Sequence, residues 1–239
     1  MKIALISGAS GLVGKAILHQ LFKSEAYDYV LSVGRRKLAI KQQKLVQIEG
    51  DMGKLLDWNW EEKVRAQSLG GEYNSLVEAL SEKTAEIHAL SALGSTMSQA
   101  GSKEKFYAID HDMVISFAQW AKQFGASKFL YVSSGAADEN SKFFYMKVKG
   151  EVERDLKTFA FDYLGVFKPS LLMGNRNEFR FSESAAQVLM KPLIWLNIFK
   201  NIRPIYDYQV AKALVKTALT QKSNSVEVIS SGEMQELSK

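Results

Sequence analysis

Apolar residues along this chain follow two alternating rhythms. Short unbroken runs end near glycine or serine, and longer stretches between them repeat their apolar positions at helical spacing. Ile3–Ser7 is the first short run. It leads into Gly8 and reads as a buried strand. Leu12 to Phe22 then carries the spacing of an amphipathic helix. Tyr29–Val33, Leu45–Ile48, Ile87–Leu93, Phe129–Ser133, Tyr163–Phe167 and Val226–Ile229 read as further strands. Helical patterns predict helices over 103–124, 143–158 and 207–220. Asp207 stands at the head of the last one, where a carboxylate can accept free backbone N–H groups as an N-cap.

Strand followed by helix followed by strand means parallel strands joined by crossover helices. The right-handed crossover rule turns such a series into an α/β fold, a doubly wound parallel sheet with helices on both faces. The expectation is one NAD(P)-binding Rossmann domain over residues 1–239. Two stretches break the rhythm. Residues 54–84 form a long polar join containing Gly70 and Gly71, read as one or two surface helices. Residues 170–206 hold Pro192 and Pro204 and are expected to form a small substrate-side cap. Within them, Val188–Phe199 is apolar but short and broken by Pro192, so it reads as core or lid packing. No apolar stretch reaches the roughly 20 residues that a membrane span needs.

Composition narrows the chemistry. The chain has 239 residues and no cysteine, which excludes disulfides, thiolate metal sites and a cysteine nucleophile. Its histidines are scattered at His19, His88 and His111, so no metal centre is expected. Lys and Arg number 31 against 26 Asp and Glu, a net charge of +5. These basic residues are dispersed, so no nucleic-acid partner is expected. The missing cysteines fit a reducing compartment, and the expected location is cytoplasmic.

Gly8-Ala9-Ser10-Gly11-Leu12-Val13-Gly14 follows the first strand and opens the first helix. In that context, spaced glycines allow a tight turn, backbone approach to a pyrophosphate and close helix–sheet packing. The helix start offers free N–H groups and the positive end of its dipole to phosphate oxygens. An NAD site places an acidic residue at the end of the second strand, whereas Gly34-Arg35-Arg36 stands there. A guanidinium matches a 2′-phosphate, so the expected cofactor is NADP(H), unless the two arginines are merely exposed. Asp51 reads either as an acceptor for the adenine amino group or as a turn residue.

Tyr145 and Lys149 share one face of the 143–158 helix. An ammonium beside a phenol favours the phenolate, so Tyr145 is expected to exchange a proton while hydride moves to or from carbon. Ser133 and Ser134 end the fifth strand, where a hydroxyl can hydrogen-bond a substrate oxygen. A second pair, Tyr208 and Lys212, follows no serine-ended strand and is expected to be structural.

These motifs together resemble the short-chain dehydrogenase/reductase superfamily over almost the whole chain, and its atypical, Tat-interacting-protein-like NADPH-binding branch in particular. The matching stretches are Val33–Leu38, Ala92–Thr96 and Phe144–Glu153. The resemblance implies Leu93 and Gly94 lining the cofactor, and Pro169 and Ser170 near the nicotinamide behind Lys168, where arginine is common. It implies Ser134, with Ser133 as alternate, Tyr145 and Lys149 as the catalytic set. The expected activity is an NADP(H)-dependent oxidoreductase acting on a small-molecule carbonyl or alcohol. Members of the branch also act as regulators, so a non-catalytic NADPH-binding protein with a protein partner is the alternative. A sugar-nucleotide epimerase-like enzyme is the third reading, although the stretch after Lys168 is short for its substrate domain.

Overall fold

A computed structural model describes residues 1–67, 71, 73–174, 203–220 and 225–239. Seven strands form one sheet: β1 (Lys2–Ser7), β2 (Tyr29–Gly34), β3 (Leu45–Glu49), β4 (Glu86–Ser91), β5 (Lys128–Val132), β6 (Tyr163–Lys168) and β9 (Ser225–Ser230). Their spatial order is β3-β2-β1-β4-β5-β6-β9, and every neighbouring pair is parallel. Two short strands, β7 (Leu172–Met173) and β8 (Ile205–Tyr206), pair separately. This is the doubly wound Rossmann arrangement that the strand–helix alternation predicts.

The central strands read as unbroken apolar runs because both of their faces are covered. Side chains alternate between the two layers. Ile3 and Leu5 of β1 face one core, and Ala4 and Ile6 face the other. The first core packs under α2 (Trp60–Arg65), α3 (Asn74–Ser81), α6 (Met113–Gln123) and α7 (Phe144–Lys157). The second packs under α1 (Leu12–Lys23), α8 (Asp207–Thr220) and α9 (Ser231–Leu237). Helices α4 (Met97–Ala100) and α5 (Lys103–Tyr107) lie between β4 and α6. Asp207 is the first residue of α8, and its carboxylate accepts the Tyr208 N–H at 2.8 Å.

Three regions differ from the sequence pattern or lie beyond it. The 54–84 join is not a set of surface helices alone. Its 3-10 turn (Met52–Asp57), α2 and α3 bury Leu55, Val64, Leu76, Val77 and Leu80 in the first core. These helices are only six and eight residues long, so each shows too little of the helical repeat to stand out between polar neighbours. The predicted 103–124 helix carries a π-helical turn at Ala108–Asp112 between α5 and α6. The proposed cap falls mostly on residues 175–202, which lie outside the described residues, as does the apolar stretch 188–199. Among the described residues, no helix is long and apolar enough to cross a membrane.

The strand order reverses between β1 and β4, which leaves a crevice beyond their C-terminal ends. The opposite, N-terminal edge of the sheet is closed by polar contacts. Glu86 Oε1 can only accept, so His88 Nε2–H donates to it at 3.0 Å, and the Tyr27 hydroxyl donates to His88 Nδ1 at 2.8 Å. Lys2 completes the chain at 3.2 Å from Glu86. Burial, aided by the Lys128 charge, pulls His88 down to about 4.

Two consequences can be measured. A Cβ on Gly14 would lie 2.1 Å from the Gly8 carbonyl oxygen. Gly14→Ala is therefore expected to lower stability by about 1–3 kcal/mol or more in urea denaturation. Separately, the unfolded His88 takes up a proton near pH 6.5 that the folded state refuses until about 4. Stability present above pH 6.5 is lost as the pH falls towards 4, by up to about 3 kcal/mol. His88→Gln should flatten the slope of unfolding free energy across that window.

Candidate functional site

The turn from β1 into α1 forms one wall of the crevice. Gly8 has φ +77°, a conformation that side chains disfavour, and a Cβ there would lie 2.4 Å from the Ala92 carbonyl carbon. The end of β1 therefore presses against the backbone that leaves β4. The Gly11 N–H closes the turn on the Gly8 carbonyl at 3.0 Å. Gly11 is the N-cap of α1, with no side-chain cap and no acidic residue in the first turn. A Cβ on Gly11 would meet only the Gly8 oxygen, at 3.4 Å. The helix start is thus open to an anion, and a side chain at Gly11 would project over it. Ser10 is exposed and Leu12 half-buried, whereas Val13 and Gly14 are buried behind them. This bare turn fits the pyrophosphate of a dinucleotide.

Arg35 and Arg36 follow β2 and are exposed at the same edge. Their loop is tied to β3, since the Lys37 N–H donates to Glu49 at 3.2 Å and the Leu38 N–H to Gln47 at 2.7 Å. Asp51 is engaged locally, where its carboxylate caps the 3-10 turn by accepting the Gly53 N–H at 3.0 Å.

The loop after β4 carries Ala92, Leu93, Gly94 and Ser95 over a buried ion pair. Lys149 Nζ lies 2.8 Å from Asp110 Oδ1, and it donates to the Tyr131 hydroxyl at 3.1 Å. Asp110 Oδ2 accepts the Ser95 N–H and the Ser95 hydroxyl, both at 2.7 Å. A Cβ on Gly94 would sit 3.2 Å from Asp110 and 3.3 Å from Lys149. Burial pulls the Lys149 ammonium down, but facing Tyr131, Asp110 and Tyr145 outweigh it and hold the group above the usual lysine range. Burial pushes the Tyr131 phenol up to about 12, against the opposing pull of Lys149.

Tyr145 occupies the first turn of α7, one turn before Lys149, half-buried with its ring 5.7 Å from that of Phe106. The stretch from β5 to α7 is held closely. Gly150 lets it approach α7, because a Cβ there would lie 2.1 Å from Glu139 N. The Asp138 N–H donates to the Met146 carbonyl at 3.1 Å, and the Gly135 N–H to that of buried Pro169 at 2.9 Å. Ser134 sits half-buried at the start of this stretch. Ser133 differs: its hydroxyl donates to Glu153, which also pairs with Lys168 at 3.2 Å. Lys168 in turn donates to the Ala137 carbonyl at 2.9 Å. The Ser170 hydroxyl is likewise engaged, by the Arg203 carbonyl and by Ser231 at 2.9 Å. In the second tyrosine–lysine pair, Tyr208 is exposed and stacked on Tyr206, and Lys212 donates to the Lys239 carbonyl at 2.9 Å.

The structure thus brings the glycine turn, Gly94 and Lys149 to one crevice. It commits Asp51, Ser133 and Ser170 to structural bonds. It also adds Asp110, Ser95 and Tyr131, which the sequence motifs do not single out. One signal is available for Asp110. It falls in the apolar stripe Phe106, Val114, Phe117 and Ala121 of the predicted 103–124 helix, where an acid is out of place unless paired. Among the described residues no cluster suited to a metal ion occurs. Asp110→Ala should cost about 3–5 kcal/mol, because it leaves the Lys149 charge buried and unpaired. Much of that loss should return in the double variant with Lys149→Met, read by denaturant midpoints.

Comparison with known proteins assigns the family and matches the fold. The NAD dependent epimerase/dehydratase family matches residues 4–144, ending just before Tyr145. The chain is 30% identical over 231 residues to the mitochondrial protein FMP52 of Meyerozyma guilliermondii, covering 95% of this chain and 90% of that one. It is 30% identical over 186 residues to the protein HTATIP2 of Rattus norvegicus, covering 78% of this chain and 69% of that one. Its fold resembles that of the Bordetella bronchiseptica enzyme WbmH in complex with NAD+, with a TM-score of 0.64, 15% identity, and coverage of 100% of this chain and 79% of that one. The mitochondrial names of the FMP52 relatives overturn the cytoplasmic expectation. A cysteine-free composition is compatible with a reducing environment but carries no compartment address. The family's general kind is an oxidoreductase- or epimerase-like protein that uses NAD(P). With more than half of its length matched and relatives of 30% identity over nearly all of it, the chain belongs to the NAD dependent epimerase/dehydratase family.

Proposed function

We propose that this protein is an NADP(H)-dependent oxidoreductase acting between a carbonyl and its alcohol on a small molecule, in a mitochondrial setting like that named for its FMP52 relatives. The observation that carries the reading is the meeting of the bare glycine turn with Gly94 and buried Lys149 at the point where the strand order reverses. In this reading Gly8–Gly14 holds the pyrophosphate, and Leu93, Gly94 and Pro169 line the cofactor's crevice. Arg35 and Arg36 grip the 2′-phosphate, since a guanidinium fork suits that group and no acid ends β2. Asp51 can face the adenine with the lone pairs its cap leaves over.

When bound, the nicotinamide supplies or accepts a hydride. The residues of the chain handle the proton and the oxygen. Tyr145 gives a proton to the nascent alkoxide during reduction and takes it back during oxidation. Ser134 donates a hydrogen bond to the same oxygen, where negative charge develops. Ser133 serves instead to anchor Glu153. Lys149 acts from the buried side of α7, where its ion pair with Asp110 and its hydrogen bond to Tyr131 fix that helix face.

A second reading, a non-catalytic NADPH-binding regulator, is favoured by one observation: the Lys149 ammonium already spends its charge on Asp110. Family membership also keeps an epimerase-like activity in view. Side-by-side titration with NADPH and NADH, followed by a panel of carbonyls, separates these readings. The proposal expects NADPH to bind at least about tenfold more tightly, with Arg35→Ala and Arg36→Ala erasing that margin. It also expects Tyr145→Phe to keep NADPH binding and lose about 100-fold or more in turnover. Preference for NADH refutes the arginine assignment. Tight NADPH binding without turnover of any carbonyl favours the regulator.

A further inference from the structure

The floor of the crevice carries a charge balance that the tyrosine–lysine spacing does not foretell. Lys149 and Asp110 are 3% and 0% exposed and lie 2.8 Å apart. The carboxylate is locked from the other side, since the Ser95 N–H and hydroxyl both bind Oδ2 at 2.7 Å. The groups facing Lys149 are Asp110 from the π turn, Tyr131 from β5 and Tyr145 from α7. Both pair members lie directly beneath Gly94, where a methyl group would be 3.2 Å from one and 3.3 Å from the other. Burial holds the Tyr131 phenol protonated at neutral pH, and the ammonium and carboxylate offset each other, so the pair presents a dipole and not a net charge.

That balance matters because a nicotinamide is cationic when oxidised and neutral when reduced. A bare ammonium at this floor would repel the oxidised ring, and a bare carboxylate would hold it too well. We propose that Asp110 is a positioning residue that cancels the Lys149 charge, so that the crevice accepts the oxidised and reduced cofactor with similar affinity. Such a balance lets each form both enter and leave the crevice without a large electrostatic barrier. The π turn supports the assignment, since it is a departure from regular helix and Asp110 sits within it. The inference rests on the reading that this crevice takes a nicotinamide dinucleotide.

The test measures dissociation constants of NADP+ and NADPH, or of NAD+ and NADH if those bind better, at low salt by calorimetry. In the parent chain the two forms should agree within about threefold. Asp110→Asn should shift the ratio about tenfold towards the reduced form, and Lys149→Met about tenfold towards the oxidised form. The double variant should return to the parent ratio. A merely structural role would weaken both forms alike. An unmoved ratio, or single variants that move it in the same direction, overturns the proposal. Should the single variants fail to fold, the parent decides. A preference for the reduced form beyond about tenfold is the mark of an uncompensated ammonium and overturns it, whereas a ratio near unity supports it. Binding of neither form defeats the cofactor reading and this inference together. Binding of both with an unmoved ratio defeats the inference alone.

Discussion

The approach of Gly8 to Ala92 is the constraint on which the crevice depends. The two strands they follow are neighbours, but the chain winds away from them towards opposite faces of the sheet. Their ends can meet only if no side chain stands between them, and at 2.4 Å even a methyl group is excluded. The positive φ of Gly8 then turns the chain so that α1 begins at the crevice with its first N–H groups facing out. Gly14 repeats the requirement one turn later, where α1 packs on the turn it grew from. Each glycine gives up a side chain that could have packed, and in return the backbone itself forms the wall of the site.

The opposite wall follows a different logic, in which charge and not space is the scarce quantity. An ammonium and a carboxylate are expensive to bury, and their attraction repays that cost only with good geometry and full hydrogen bonding. Here Ser95 and Tyr131 supply the extra bonds. The helix that bears Asp110 departs from α-geometry over Ala108–Asp112, at the residue that must reach Lys149. The polar cluster links β5, the loop after β4, the π turn and α7. It is thus a structural cross-tie as well as the electrostatic floor of the crevice.

The two edges of the sheet divide stability from chemistry. At the N-terminal edge, Tyr27, His88, Glu86 and Lys2 satisfy one another, and the histidine stays neutral because it is buried. At the C-terminal edge, Ser10, Arg35 and Arg36 remain exposed, and Ser134 and Tyr145 are half-buried. Beneath them, the Ser133–Glu153–Lys168 chain ties the loop after β5 to β6, so the half-buried residues rest on a bonded support.

Local periodicity and local spacing were enough to read the strands, the main helices, the covering of both sheet faces and the glycine turn. Each of these rests on residues that are close in sequence: unbroken apolar runs for doubly covered strands, and spaced glycines for a strand-to-helix turn. The join at 54–84 reads as polar because its helices are short and set among polar residues, and only packing on the first core reveals the role of their apolar positions. The partner of Lys149 is illegible for a related reason. The tyrosine–lysine spacing fixes a shared helix face, but which carboxylate meets the ammonium depends on a second helix, its π turn and the loop after β4 arriving together. The same holds for Ser133, whose neighbour Glu153 lies on α7, so the choice between adjacent serines rested with tertiary contact. The sequence by itself determined the scaffold and the glycine turn, because both are short-range patterns in the chain. The tertiary structure alone decided the charge state of the site's floor, because Coulombic pairing and burial depend on distance in space and not on separation along the chain.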